Sequence, residues 1–205
     1  EPAFWGVVGV AIAAALVWPG AGAAFAMGAL VVALALSGSP FLALALALAG
    51  AAWLALGGAR HHACANVGAT AVLAGAFGFA PVVPLFAGYF LGAKHALVAT
   101  AFAVVSAFCL ACAGSFDLTG WNVFAFGAMP GASAMEDAAL SLVTSPGMWA
   151  IAISWLAAAL VGSLLCSRGG RGLAACGMLA ATAILVLGVI AAARLGGAEF
   201  PDVAQ

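Results

Sequence analysis

Long apolar segments alternate with short polar or glycine- and proline-rich breaks along most of this chain. A helix needs about 20 apolar residues to cross a bilayer, within a range of about 17–25. Seven segments reach or approach that length: residues 2–18, 21–36, 41–56, 67–92, 96–113, 148–166 and 173–193. The pattern therefore predicts an all-α fold, a polytopic transmembrane helical bundle of about seven spans.

The fourth segment, which begins at Val67 and ends at Gly92, differs from the others because Pro81 and Pro84 lie inside it. Each proline lacks a backbone donor and clashes with the carbonyl four residues earlier, so the pair predicts a kink. The segment can also form two half-helices in a re-entrant hairpin, and the number of spans then falls to six. Of the two, we expect one kinked span.

The longest break, residues 114–147, contains a helix signal of its own. Ser133 and Glu136 have the spacing of a capping box, in which each side chain bonds to a free backbone donor at a helix start. Trp121, in the same break, fits the aromatic belt at a membrane surface. We expect a short interfacial helix over residues 134–143 that ends before Pro146.

Composition supports the membrane interpretation and excludes a soluble domain. Hydrophobic residues make up 67% of the chain and charged residues 5%, whereas soluble domains are about 45–50% apolar and about 25% charged. A soluble domain must cover its surface with polar groups. We interpret residues 1–205 as a single integral membrane domain in the lipid bilayer of the plasma membrane. Because the first residue is Glu1, we expect the domain to be part of a longer chain.

The few charges give an orientation and exclude some partners. The formal net charge of −1 gives no reason to expect a nucleic-acid partner. Basic residues near span ends favour the cytoplasm. Seven spans with a cytoplasmic N-terminus place three basic residues inside (Lys94, Arg168 and Arg171) and two outside (Arg60 and Arg194). We therefore predict a multi-pass domain with a cytoplasmic N-terminus.

Small residues recur at helical spacing. Gly88 and Gly92 are four residues apart, and so are Gly20, Ala24 and Gly28. On a helix this spacing creates a smooth face that another backbone can approach closely. We predict packing faces at these positions.

Metal and redox chemistry are each suggested by a partial motif. His61, His62 and Cys64 are potential zinc ligands, but structural zinc normally takes four ligands. His95 lies at the far end of the predicted fourth span, so we expect it to be distant from them. Two further thiols, Cys109 and Cys112, have redox spacing but lie deep in an apolar span, where no accessible helix start lowers a thiol pKa. We expect neither a metal nor a cofactor.

Catalytic signals are absent from the sequence. No ionisable residue lies in the middle of a predicted span, where proton relays and ion-coupled pumps place them. The neighbouring acids Glu136 and Asp137 point about 100° apart on a helix, which suits solvation better than acid–base catalysis. Phosphate-binding loops and hydrolase or metalloprotease motifs are also missing. We therefore predict no catalytic residues in this segment, and an intramembrane enzyme is the least favoured function.

Two families share features with the central and C-terminal part of the chain. The run from Phe79 to Leu97, with Pro81, Pro84 and an Ala-Gly…Leu-Gly pattern, resembles the C-terminal membrane region of serine/threonine protein kinases from gut-type actinobacteria. Residues 140–149, 155–159 and 163–168 resemble that family too, and the resemblance covers residues 67–195. It implies a membrane module that anchors or regulates a cytosolic kinase domain encoded upstream. None of the kinase catalytic motifs occurs in this chain, so no kinase residue is carried over.

The same proline-containing run also resembles substrate-binding membrane components of vitamin transporters. That resemblance implies a small-molecule permease or a substrate-binding component. Interrupted helices build transporter sites, so this alternative predicts a polar cavity near Pro81 and Pro84.

Overall fold

The computed structural model describes residues 10, 13, 19–36, 40–58, 61, 63–64, 66–68, 80–112, 132–168 and 170–195. Within these residues every regular element is a helix, which confirms the all-α prediction. In chain order the helices are α1 (Pro19–Leu36), α2 (Pro40–Trp53), α3 (Val83–Phe90), α4 (Ala93–Cys112), α5 (Ala132–Thr144), α6 (Pro146–Cys166) and α7 (Arg171–Leu195). A π-helix, Leu54–Gly58, continues α2, and a 3-10 turn, Ala80–Val82, leads into α3.

Three of the described helices are long and apolar enough to cross a membrane: Pro40–Gly57, Pro146–Cys166 and Arg171–Leu195. Three others are apolar but shorter: Ala21–Leu36, Ala80–Phe90 and Ala93–Cys109. The described part of the chain thus has fewer helices of crossing length than the seven predicted. The first predicted span, residues 2–18, lies outside the described residues except for Val10 and Ala13.

The last two helices form a tight antiparallel hairpin. Three glycines make the close approach possible, since a Cβ on each would meet the other helix: Gly177 would meet Leu165, Gly188 would meet Ser154, and Gly147 would lie 3.0 Å from the Ala192 carbonyl oxygen. Pro146 begins α6, where its missing donor costs nothing. The predicted spans over residues 148–166 and 173–193 match these two helices to within a few residues.

Helices α1, α2 and α4 pack around one apolar core. A Cβ on Gly50 of α2 would meet the Met27 side chain of α1, so these two helices run antiparallel. Trp53 of α2 stacks on Phe102 of α4, with ring centroids 4.4 Å apart and planes 12° apart. Leu34 and Leu46 are fully buried in the same core. Close packing of apolar side chains stabilises this part of the bundle.

The bundle has two chemically different ends. We call the end that holds Gly57, His61 and His95 the histidine end. The α6–α7 turn lies there too, because the Ser163 hydroxyl donates a 2.8 Å hydrogen bond to the Leu91 carbonyl oxygen just before α4. At the opposite end, the Trp149 indole N–H of α6 donates to the Val143 carbonyl oxygen of α5 at 2.8 Å.

The prediction of one kinked span between Val67 and Gly92 is wrong. The rings of His61 and His95 are 3.9 Å apart, and the Cys64 Sγ lies 3.6 Å from the His95 carbonyl oxygen. A single crossing would separate its ends by about 30 Å. Residues 61–64 and 91–95 therefore lie at the same end of the bundle, which a single crossing does not allow.

Candidate functional site at the histidine end

A contact between two histidine rings joins the end of α2 to the start of α4. The ring centroids of His61 and His95 are 3.9 Å apart, with the planes tilted by 58°. Gly57, in the π-helical turn that ends α2, makes this approach possible: a Cβ there would lie 3.1 Å from the Cys64 Sγ and 3.3 Å from the His95 Cδ2. From the sequence, His95 was expected to lie far from His61, and this expectation is wrong because the two rings meet at the same end of the bundle.

Cys64 is a buried structural thiol beneath the histidine pair. It is fully buried, and its Sγ donates a weak hydrogen bond to the His95 carbonyl oxygen at 3.6 Å. Burial raises the pKa of this thiol, so it stays protonated and acts as the donor.

The surroundings of His95 favour its neutral imidazole. His95 precedes the apolar run of α4, and partial burial lowers its pKa, with the neighbouring His61 and Lys94 adding electrostatic repulsion. The described residues contain no group of three or more histidine, cysteine, aspartate or glutamate side chains that could hold a metal ion. His62, the remaining member of the predicted partial motif, lies outside the described residues.

The two prolines begin a helix and do not kink one. Pro81 lies in the 3-10 turn before α3, and Pro84 lies in the first turn of α3, where no intrahelical donor is lost. Ala80 and Val83 are buried against a cluster that includes Trp155 of α6. The predicted kink is therefore wrong, because the prolines fall where the helix starts.

Of the predicted small-residue positions, Gly88 is a packing contact. A Cβ on Gly88 would lie 3.0 Å from the Ala159 carbonyl oxygen and 3.3 Å from the Gly162 Cα, so α3 packs directly on the backbone of α6. Gly92 follows the end of α3 and has open space around it. Gly28 likewise has nothing within 4 Å, so the predicted face on α1 is not a contact there. Gly162 and Ser163, which complete this interface, were not singled out from the sequence, although they follow the small residues Ala158 and Ala159 on α6.

A short helix, α5, lies where an interfacial helix was predicted; it runs from Ala132 to Thr144 and ends before Pro146. It begins two residues earlier than predicted, so Ser133 lies inside the first turn and not before it. The side chain of Ser133 lies outside the described set, and Glu136 and Asp137 are exposed. These acids are therefore solvated at the opposite end, away from the histidine pair.

The paired thiols of α4 are core residues. Cys109 and Cys112 are free and buried among the apolar side chains of α1 and α2. Packing explains both residues, since free cysteine behaves as a small hydrophobe.

Basic side chains gather at the histidine end. Lys94 is exposed near the start of α4, and Arg168 and Arg171 are exposed at the α6–α7 turn. Arg194, in contrast, lies in the last turn of α7, next to Ala192 at the opposite end. Three of the four described Lys and Arg side chains thus lie at the histidine end.

No protein-family model, no curated protein and no solved structure matches this chain.

Proposed function

We propose that this chain is a non-catalytic, multi-pass module of the plasma membrane that anchors, and through its helices regulates, a cytosolic serine/threonine protein kinase domain of the same polypeptide. The packed interior of the described bundle carries this proposal. Its buried side chains are almost all alanine, leucine, valine, cysteine and aromatic residues, and no ionisable acid or base of the described part is buried among them. Such an interior is suited to holding helices in place and offers no proton relay.

The kinase part of the proposal rests on the resemblance over residues 67–195. It is tested by the reading frame before Glu1 and by the activity of the complete chain. We expect an upstream kinase domain whose autophosphorylation in membranes changes when the polypeptide is cut before Glu1. A reading frame that starts directly before Glu1 would exclude the attached kinase, while leaving the membrane module intact.

The proposed topology is six spans with a re-entrant hairpin between α2 and α4, and with the histidine end in the cytoplasm. Lys94, Arg168 and Arg171 lie at the histidine end. Among the described basic residues, the count is therefore three against one, Arg194. The positive-inside rule then favours this orientation more strongly than the three-to-two count obtained from seven spans.

This orientation constrains the attachment of a cytosolic domain. The N-terminus, predicted to be cytoplasmic, lies outside the described residues, but α1 begins with Pro19 at the histidine end. If residues 2–18 cross the membrane as predicted, this topology places the N-terminus outside, opposite to the cytoplasmic N-terminus predicted from seven spans. A cytosolic kinase domain would then require one further crossing before Glu1.

Labelling of single cysteines in a cysteine-free background tests the topology. A membrane-impermeant maleimide should label Glu136→Cys in intact cells, and should reach Ser167→Cys and His61→Cys only in inverted vesicles. Labelling of Ser167→Cys from outside would overturn the orientation. Labelling of His61→Cys and Ser167→Cys from opposite sides would overturn the re-entrant hairpin.

A small-molecule permease or vitamin-transporter-like binding component is the second candidate, and one observation favours it. Three buried polar atoms have no hydrogen-bond partner among the described residues: Trp53 Nε1, Thr100 Oγ1 and Ser106 Oγ. However, the described groove of about 370 Å³ between α2 and α4 is lined by apolar side chains, including those of Trp53 and Phe102. Saturable uptake by proteoliposomes, lost in Thr100→Val, would establish transport.

A further inference from the structure

An exposed aromatic surface lies beside the basic side chains of the histidine end. On α3, Phe86, Tyr89 and Phe90 are each at least half exposed. Phe86 stacks on Phe90 with centroids 6.0 Å apart, and Tyr89 meets Phe90 edge-on at 4.9 Å. The three rings thus form one continuous surface. Tyr89 is the only tyrosine of the chain.

The packing of α3 on α6 places the cations at the same end of the bundle as the C-terminal end of α3. Lys94 follows Leu91 by three residues, and Arg168 follows Ser163 by five. The Ser163 hydroxyl is 2.8 Å from the Leu91 carbonyl oxygen, and Arg168 lies in the turn that follows α6, where its backbone N–H donates to the Leu165 carbonyl oxygen. Both cations therefore lie at the end of the bundle where the aromatic helix α3 ends.

The surroundings of these cations are open and contain no described acid. Lys94, Arg168 and Arg171 are all exposed, and a Cβ on Gly92 or Gly172 would have nothing within 4 Å. The described acids, Glu136 and Asp137, lie on α5 at the opposite end. Within the described part of the chain, this end therefore has positive charge that no carboxylate neutralises.

We propose that the aromatic rings of α3, together with Lys94, Arg168 and Arg171, form a binding surface for an anionic phospholipid. The rings contact the acyl chains and glycerol region, as interfacial aromatic residues do. The cations bind the phosphate and the remaining headgroup charge, which is the complementary chemistry at an anionic leaflet. The Tyr89 hydroxyl supplies a polar tip at headgroup depth. This surface is independent of which domain the module anchors.

The test is lipid binding by the full chain, purified in a neutral detergent and titrated with phosphatidylglycerol or phosphatidylcholine, with native mass spectrometry as the readout. Wild-type protein should prefer phosphatidylglycerol. Each cation near an anionic surface contributes about fivefold to such a preference. We expect Lys94→Gln to lower it about fivefold, and the combined Lys94→Gln, Arg168→Gln and Arg171→Gln variant to lower it by more than tenfold.

Arg194→Gln is the matched control, because it removes one positive charge at the opposite end and should leave the preference unchanged. Phe86→Ala with Phe90→Ala should weaken the binding of both lipids. An equal loss in Arg194→Gln and Lys94→Gln would overturn the proposal, and so would full displacement of the lipid by inorganic phosphate. Should the combined variant fail to fold, the wild-type preference must still fall as salt is raised, because salt screens exposed charges. A preference that does not respond to salt would also overturn the proposal.

Discussion

Gly88 of α3 lies directly against Gly162 of α6: a Cβ on Gly162 would lie 3.4 Å from the Gly88 Cα, and a Cβ on Gly88 would lie 3.0 Å from the Ala159 carbonyl oxygen. At position 88 a Cβ would lie closer to the α6 backbone than Cβ atoms usually approach, so glycine favours this contact. The contact fixes the end of α3, and with it the position of Leu91 under the Ser163 hydroxyl. The shape of the histidine end depends on it.

Gly88→Ala should therefore destabilise the bundle. The added methyl group meets backbone atoms of α6, which cannot turn aside as a flexible side chain can, so α3 must move away. We expect a loss of about 1–3 kcal/mol in the free energy of unfolding, which is typical of overpacking. Gly92→Ala is the control, since nothing lies within 4 Å of its Cβ position. Unfolding by denaturant in detergent micelles measures both, and equal stability of the two variants would contradict the packing argument.

Ser163→Ala should cost a smaller but measurable amount. The Ser163 hydroxyl is buried and donates to the Leu91 carbonyl oxygen across the α3–α6 interface. Hydrogen bonds between membrane helices contribute about 0.6 kcal/mol on average, with a maximum of about 1.7 kcal/mol. Ser167→Ala removes an exposed hydroxyl bonded within its own turn, so it should have no measurable effect. The same unfolding assay decides this, and an unchanged midpoint in Ser163→Ala would show that the hydrogen bond contributes nothing.

The sequence predicts the long helices of this fold well, because their apolar runs end at strong polar or proline signals. Pro146 and Arg171 mark the starts of α6 and α7 almost at the predicted positions. The interfacial helix α5 was predicted for the same reason, since Pro146 limits it on one side. Local chemistry sets these boundaries, and local chemistry can be read from a single sequence.

The histidine end could not be predicted, because it depends on contacts between residues far apart in the chain. His61 and His95 meet only because the intervening segment returns, and apolar content alone is compatible with both a crossing and a hairpin. Pro81 and Pro84 were the signal for a break, but proline is compatible both with a kink and with the first turn of a helix. The sequence likewise gives no signal that Gly162 is a contact residue, because that role depends on its partner Gly88.

The contact between His61 and His95 should weaken in acid. Partial burial, His61 and Lys94 lower the pKa of His95 below its usual value near 6.5. The unfolded state then binds more protons than the folded state. The contribution of His95 to the free energy of unfolding is therefore complete above about pH 6.5 and is lost as the pH falls through the lowered pKa. Cys64, buried beneath His95, should therefore become more reactive relative to the exposed Cys176 at pH 5.5 than at pH 7.5.

His61→Phe provides the control for this pH effect. This variant keeps a ring at position 61 but removes a charge that repels protonated His95. The ratio of Cys64 reactivity to Cys176 reactivity should therefore change less with pH. The ratio itself corrects for the general loss of thiolate in acid. A ratio that does not change with pH in the wild-type protein would exclude a role for histidine protonation at this contact.

Thr100→Val distinguishes a sealed bundle from a ligand-binding one. The Thr100 hydroxyl is fully buried on α4 and has no hydrogen-bond partner among the described residues. An unpaired buried hydroxyl costs about 1–3 kcal/mol in desolvation, and valine has nearly the same shape. In an anchoring module, Thr100→Val should therefore leave the unfolding midpoint unchanged or raise it.

Val104→Thr on the same helix is the reverse control and should lower the midpoint, because it adds a hydroxyl beside the apolar side chains of Ala107 and Trp155. A loss of stability in Thr100→Val would instead mean that the hydroxyl binds a water molecule or a ligand inside the bundle, as the permease alternative requires.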